Sequence, residues 1–180
     1  LKVGEVCDWV PENPPRTLYE AMQSYLLCNL VAKAIESTHE GLGDRLDVLF
    51  NPFYQRDKVD ARITRDEAME LMECLYFKLA ERGNLEAPLA EAVVISSEWH
   101  SHRNIGGVTP EGDDATNEFS FIILDAAEAV RLPEPTIALR YHSKVNPQLI
   151  DRAIDVIHTG VGYPAIYNDS AYISHILATG

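Results

Sequence analysis

Cysteine is scarce in this 180-residue sequence, basic charge is in deficit, and long apolar runs are missing. Three cysteines (Cys7, Cys28 and Cys74) with no CxxC pair exclude a disulfide framework or a thiolate zinc cage. They fit a reducing compartment, so a cytoplasmic location is expected. Lys plus Arg number 15 and Asp plus Glu 28, a formal charge of −13, which leaves no basic footprint for nucleic acid or anionic lipid. The longest helical apolar run, Ala21 to Ala34, is broken by Gln23, Ser24, Asn29 and Lys33, and falls short of the ~20 residues that cross a bilayer. The start lacks the basic and apolar regions of a secretory leader. Leu1 stands where an initiator methionine would, so a piece of a longer polypeptide is expected. No internal repeat, P-loop, nucleophile elbow or Ser/His/Asp signature is present.

The composition is that of a folded domain, 46% hydrophobic and 24% charged. Thr17-Leu18-Tyr19-Glu20 reads as a capping box, and the residues behind it, Ala21 to Val31, are apolar on nearly every face, which predicts a helix buried on most sides. Thr64-Arg65-Asp66-Glu67 is a second capping box. Ala68, Leu71, Met72, Leu75 and Leu79 follow as one amphipathic stripe, and Gly83 suits the helix end. A third helix is predicted from about Ala115 to Arg131, capped by Asp114 and stopped by Leu132-Pro133. A fourth opens at Asn146-Pro147 with the stripe Ile150, Ala153, Ile154 and Ile157, and closes at Gly160. A last helix starts near Asp169. Ala92–Ile95, Thr136–Tyr141 and Ala165–Tyr167 read as strands, an alternation that predicts parallel βα units. Cys28 and Cys74, inside apolar helices without electropositive neighbours, are expected to be buried. Glu81–Pro88 is the expected surface connection.

Three clusters carry chemical potential. Glu98, His100 and His102 share one face if extended, and two imidazoles with a carboxylate can hold zinc or iron, although a polar loop entering a glycine turn explains them as well. Gly41-Leu42-Gly43 lacks the third glycine and preceding strand of a dinucleotide fingerprint, so it reads as a bend. Arg45 and Asp47 beside it are candidates for an ion pair. Gly106-Gly107-Val108-Thr109-Pro110-Glu111-Gly112-Asp113-Asp114-Ala115-Thr116-Asn117-Glu118 is oxygen-rich but lacks EF-hand spacing, and helix capping accounts for its acids.

That last segment, continued by Phe119-Ser120, resembles the GGV-x-x-x-G-x-DATNE-x-(S/T) segment of the glycyl radical enzymes, the pyruvate formate-lyase superfamily. Leu132-Pro133-Glu134-Pro135-Thr136, Arg140-Tyr141-His142, Gly160-Val161-Gly162-Tyr163-Pro164-Ala165 and Asn168-Asp169 match further family motifs in order. Upstream, Asn13 to Thr17, Gly43 to Asp47, Pro52-Phe53-Tyr54 and Arg62-Ile63-Thr64 match too.

The resemblance implies an α/β fold, part of a ten-stranded barrel, helix-rich with a few parallel strands. It implies anaerobic radical chemistry on a small organic substrate, with scission or formation of C–C, C–O or C–N bonds. A glycyl radical installed by an S-adenosylmethionine and iron–sulfur activating enzyme would be the cofactor, and the full-length enzyme would be a homodimer. It places the catalytic cysteine and the radical glycine beyond residue 180, so no catalytic residue is expected within the chain and the chain alone should be inactive. Leu42, Gly43, Arg45, Trp99 and His100 become substrate-pocket candidates. Gly106, Gly107, Asp114, Asn117, Asn168 and Asp169 become structural motif residues, with no metal. Leu42, where many relatives carry a small polar residue, departs from the pattern. The rival readings are a metal-dependent hydrolase built on Glu98, His100 and His102, and a non-catalytic acidic interaction domain.

Overall fold

A computed structural model describes residues 2–10, 12–36, 44–81, 103–133 and 135–179, with residues 2 and 32–36 traced by backbone alone. Helices α1 (Lys2–Trp9), α2 (Leu18–Glu36), α3 (Leu46–Val59) and α4 (Arg65–Glu81) precede the strand β1 (Arg103–Gly106). Then α5 (Glu118–Val130), β2 (Ile137–Tyr141), α6 (Pro147–His158), β3 (Ala165–Asn168) and α7 (Asp169–Thr179) alternate. Among the described residues no helix is long and apolar enough to cross a membrane.

The sheet is parallel, in the order β1-β2-β3, with Ile105 opposite Leu139 and Leu139 opposite Ile166. Parallel neighbours need a crossover, and α5 and α6 supply the two connections. Arg45 bridges Asn104 in the same direction, so the chain entering α3 runs along the free side of β1. Because side chains alternate, Arg103, Ile105, Ile137 and Leu139 lie on one face and are fully buried. Asn104, Ala138, Arg140, Ala165 and Tyr167 lie on the other.

Helix α5 is the hub and packs on α3, α4 and α6. Phe119, Ile122, Ile123, Leu124, Ala126 and Ala127 are all inaccessible, so it is apolar around most of its circumference. Phe50 and Tyr54 of α3 meet Phe119 through ring contacts at 5.9 and 5.6 Å. Burying a side chain of this kind contributes about 1.5–3 kcal/mol.

Several local expectations hold. The Thr64 hydroxyl accepts from Glu67 N at 3.2 Å and the Glu67 carboxylate from Thr64 N at 2.7 Å, a complete capping box, and Ala68, Met72, Leu75 and Leu79 of the stripe are buried. Asn146 caps α6 through Gln148 N at 3.0 Å, with Pro147 at the first helical position.

Others are corrected. At the first box Thr17 accepts from Glu20 N, but Glu20 turns back to Arg16 N at 2.7 Å and to the Arg16 guanidinium, because that cation offers the stronger bond. Over its described side chains helix α2 buries Leu18, Ala21, Met22, Tyr25 and Asn29, while Cys28 and Val31 are exposed. Cys28 and Cys74 are exposed, each on the outer side of a helix whose inner side is already apolar. The third helix begins at Glu118 and is capped by Asn117, because Asp114 is engaged elsewhere. Helix α6 buries Leu149, Ala153 and Val156, so its inner face is rotated by about one residue and Ile154 and Ile157 are partly exposed. Helices α1 and α3 and strand β1 were not expected: α3 carries Pro52 in its interior, and β1 ends in the glycines. The strand expected at Ala92–Ile95, Gly83 and most of Glu81–Pro88 lie outside the described residues.

Candidate functional site

Gly106 and Gly107 end β1 with φ of +70° and +79°, a left-handed conformation that side chains disfavour. At Gly107 there is a second demand. A Cβ there would lie 3.1 Å from Arg140 Cβ and from Asp169 Oδ2, and 3.2 Å from Arg140 Nε. The turn is fully hydrogen-bonded. Gly106 N donates to Asp47 Oδ2 at 2.7 Å and Gly107 N to Arg140 O at 2.9 Å. The Gly106 carbonyl accepts from Arg45 Nη2 at 2.5 Å and the Gly107 carbonyl from Ala115 N at 2.9 Å.

Asp47 sits at the first turn of α3 with no solvent exposure. Besides Gly106 N it accepts from Ser120 Oγ at 2.7 Å and from Val48 N at 2.8 Å. Ser120 in turn accepts from Asn117 N at 3.1 Å, and Asn117 Oδ1 accepts from Phe119 N and Ser120 N, closing a capping box on α5. One carboxylate thus fastens α3, β1 and α5 together. Burial pushes the Asp47 carboxyl upward, against the bonds from Ser120 and Gly106 that favour its charged form. Arg45 does not pair directly with Asp47. Its guanidinium donates to Gly106 O and, at 2.8 Å, to Val108 O, and burial holds it below its ordinary value, with Asp47 opposing.

Asp114 performs a different task from the expected cap. Oδ1 accepts from Thr116 Oγ1 at 2.8 Å and contacts His142 Nε2 at 3.1 Å, and Oδ2 accepts from Asn146 N at 3.0 Å. It ties the glycine-rich segment to the loop after β2. Burial raises its carboxyl, but the bonds from Thr116, His142 and Asn146 outweigh this and hold it below the usual carboxylate range. Where β3 passes into α7, Asn168 Oδ1 accepts from Ser170 N at 3.0 Å, and Asp169 Oδ1 accepts from Arg140 Nε at 2.8 Å.

Structure therefore brings Arg45, Gly106, Gly107 and Asp169 into one network at the carboxyl ends of the strands, where open α/β sheets place ligands. Asp114 and Asn117 flank it. Sequence reasoning overlooked Asp47, Ser120, Arg140 and His142 as site members, although each falls inside a matched motif. Leu42, Gly43, Trp99 and His100, with Glu98 and His102 of the alternative metal centre, lie outside the described residues. The residues following those two segments, Asp44-Arg45 and Arg103-Asn104, run side by side, and Asn104 N donates to Asp44 O at 2.9 Å. Among the described residues no group of three or more His, Cys, Asp or Glu is placed to hold a metal. Cys7, Cys28 and Cys74 sit on α1, α2 and α4, not on the sheet.

The chain belongs to the pyruvate formate lyase-like family, whose pattern it matches over residues 1–180. It is 34% identical to the trans-4-hydroxy-L-proline dehydratase of Clostridioides difficile, covering 100% of this chain and 23% of that protein. It is 33% identical to the isethionate sulfite-lyase of Nitratidesulfovibrio vulgaris, covering 99% of this chain and 22% of that protein. The fold superposes on the B12-independent glycerol dehydratase of Clostridium butyricum with a TM-score of 0.86 at 27% identity, over 99% of this chain and 22% of that one. A structure describing 1,2-propanediol dehydration in Roseburia inulinivorans matches with a TM-score of 0.85 at 30% identity, over 100% of this chain and 23% of that one. The chain thus spans less than a quarter of the length of these relatives.

Proposed function

We propose that this chain is an internal segment of a cytoplasmic glycyl radical enzyme of the dehydratase and lyase type, and that it supplies barrel scaffold and pocket wall. The observation that carries this reading is the end-to-end match, in sequence and in fold, to dehydratases and sulfite-lyases of which the chain covers 22 to 23%. In this reading the three parallel strands are part of a ten-stranded barrel. The catalytic cysteine and the radical glycine belong to polypeptide beyond residue 180, the active enzyme is a homodimer, and the radical is installed by a separate activating enzyme. The radical, once stored, supplies the hydrogen-abstracting power that breaks bonds in a small organic substrate.

The chain's own residues contribute position. Asp47, Arg45 and Ser120 hold the glycine turn rigid at the mouth of the sheet. Leu42, Gly43, Arg45, Trp99 and His100 form the pocket edge, supported by the parallel pairing of the residues that follow Gly43 and His102. A rigid wall excludes water and holds the substrate near its reactive geometry, and well-oriented reactions gain up to about 7–11 kcal/mol in this way.

The test is anaerobic activation of the full polypeptide with an S-adenosylmethionine activating enzyme. An organic glycyl radical signal by electron paramagnetic resonance, with turnover of a hydroxylated or sulfonated small substrate, is the expected result. The 180-residue chain alone should turn over nothing. Turnover by the chain alone, or no radical signal in a competently activated full polypeptide, refutes the proposal.

A further inference from the structure

Helix α7 is anchored by one buried residue. Asp169 is 2% exposed, whereas Tyr172, Ile176 and Leu177 are 59%, 49% and 79% exposed. Asp169 Oδ1 takes the hydrogen bond from Arg140 Nε at 2.8 Å, so the start of the helix is tied to the middle strand of the sheet. The tie exists because position 107 has no side chain: any Cβ there would come within 3.1–3.2 Å of both partners. Asp169 Oδ2 is buried and accepts no hydrogen bond from the described residues, so the Arg140 bond to Oδ1 is what fixes the carboxylate, with the Arg45 charge nearby.

We infer that the Arg140–Asp169 pair, seated on Gly107, is a positioning latch that sets the start and direction of α7, and with it the placement of the polypeptide that follows. In this inference both act as positioning residues, through the placement of α7. The inference rests on the proposed function, in which that following polypeptide carries the reactive cysteine. A displacement of about 1 Å in a reacting group can lower a rate by about 10²-fold.

The test uses the full polypeptide and compares wild type, Asp169→Ala, Arg140→Ala/Asp169→Ala and Asp169→Asn. Three quantities are read: radical yield by electron paramagnetic resonance, kcat and KM, and amide hydrogen exchange of residues 169–179 against 118–130. In the alanine variants kcat should fall by about 10²-fold with KM and radical yield unchanged. Exchange protection should be lost in α7 and kept in α5. Asp169→Asn, which keeps the acceptor oxygen, should restore protection and most of kcat. If the alanine variants do not accumulate as folded protein, Asp169→Asn against Asp169→Glu carries the comparison, with α7 protected in the first and not in the second. Unchanged kcat, a change confined to KM, protection lost equally from α5, or no rescue by Asp169→Asn overturns the latch. Absence of a radical in wild type overturns the proposed function instead, and the exchange measurement then still decides the latch.

Discussion

Replacing Gly107 with alanine separates two penalties that are usually confounded. The backbone at Gly107 has φ +79°, and a left-handed conformation costs a residue with a Cβ about 1–2 kcal/mol. The new methyl also lands 3.1 Å from Arg140 Cβ and Asp169 Oδ2 and 3.2 Å from Arg140 Nε. Arg140 Cβ is fixed by the strand and Asp169 by its ion pair, so the crowding is relieved only by moving β2 or α7, and overpacking of this kind costs about 1–3 kcal/mol. The sum is about 2–5 kcal/mol. Gly112 supplies the control. Its φ is +85°, yet a Cβ there meets nothing within 4 Å. Gly112→Ala should therefore carry the conformational cost alone, about 1–2 kcal/mol. Equilibrium unfolding in urea of the full polypeptide gives both values, and their difference, about 1–3 kcal/mol, is the steric part. Combining Gly107→Ala with Asp169→Ala should cost less than the two single changes together, since the second removes an atom that the first strikes. If Gly107→Ala costs no more than Gly112→Ala, the argument that the ion pair occupies the glycine's space is wrong.

The other predictions concern the carboxylates and the helix cap. Asp47→Ala leaves Gly106 N–H and the Ser120 hydroxyl buried without an acceptor and should cost about 3–5 kcal/mol by chemical denaturation; a loss below 1 kcal/mol would refute its role as a three-way fastener. Asn117→Ala should cost about 1–2 kcal/mol and Asn117→Ser much less, because Ser retains a capping oxygen for Phe119 N and Ser120 N. The Asp114 carboxyl is held below its ordinary value of 3.8, so its ionised form is favoured by folding. That stability is full above pH 3.8 and is lost as pH falls through the lower folded value; the stability difference between wild type and Asp114→Asn should shrink over that acid range, and a difference independent of pH would refute the assignment.

Local rules alone determined much of this protein. The Thr64–Glu67 box with its stripe specifies α4, and Asn146-Pro147 specifies the start of α6, because the capping groups and the orphan amides they satisfy lie within one turn of each other. The ordered motifs from Asn13 to Asp169 identified the family. Tertiary structure decided matters where local rules allow two answers. Both Asp114 and Asn117 can cap a helix, and Asn117 does so because His142 and Asn146, 28 and 32 residues from Asp114, claim its carboxylate. Two adjacent faces of α6 are comparably apolar, and contact with α5 selects Leu149, Ala153 and Val156. Pro52 speaks against α3 locally, yet Leu46, Phe50 and Tyr54 bury fully and the helix forms around it. The glycine turn follows the same logic. Paired glycines announce a left-handed backbone, but only the fold places Arg140 and Asp169, 33 and 62 residues away in sequence, in the space a side chain at 107 would fill. Such contacts join residues far apart in the chain, and no short window of sequence contains both partners.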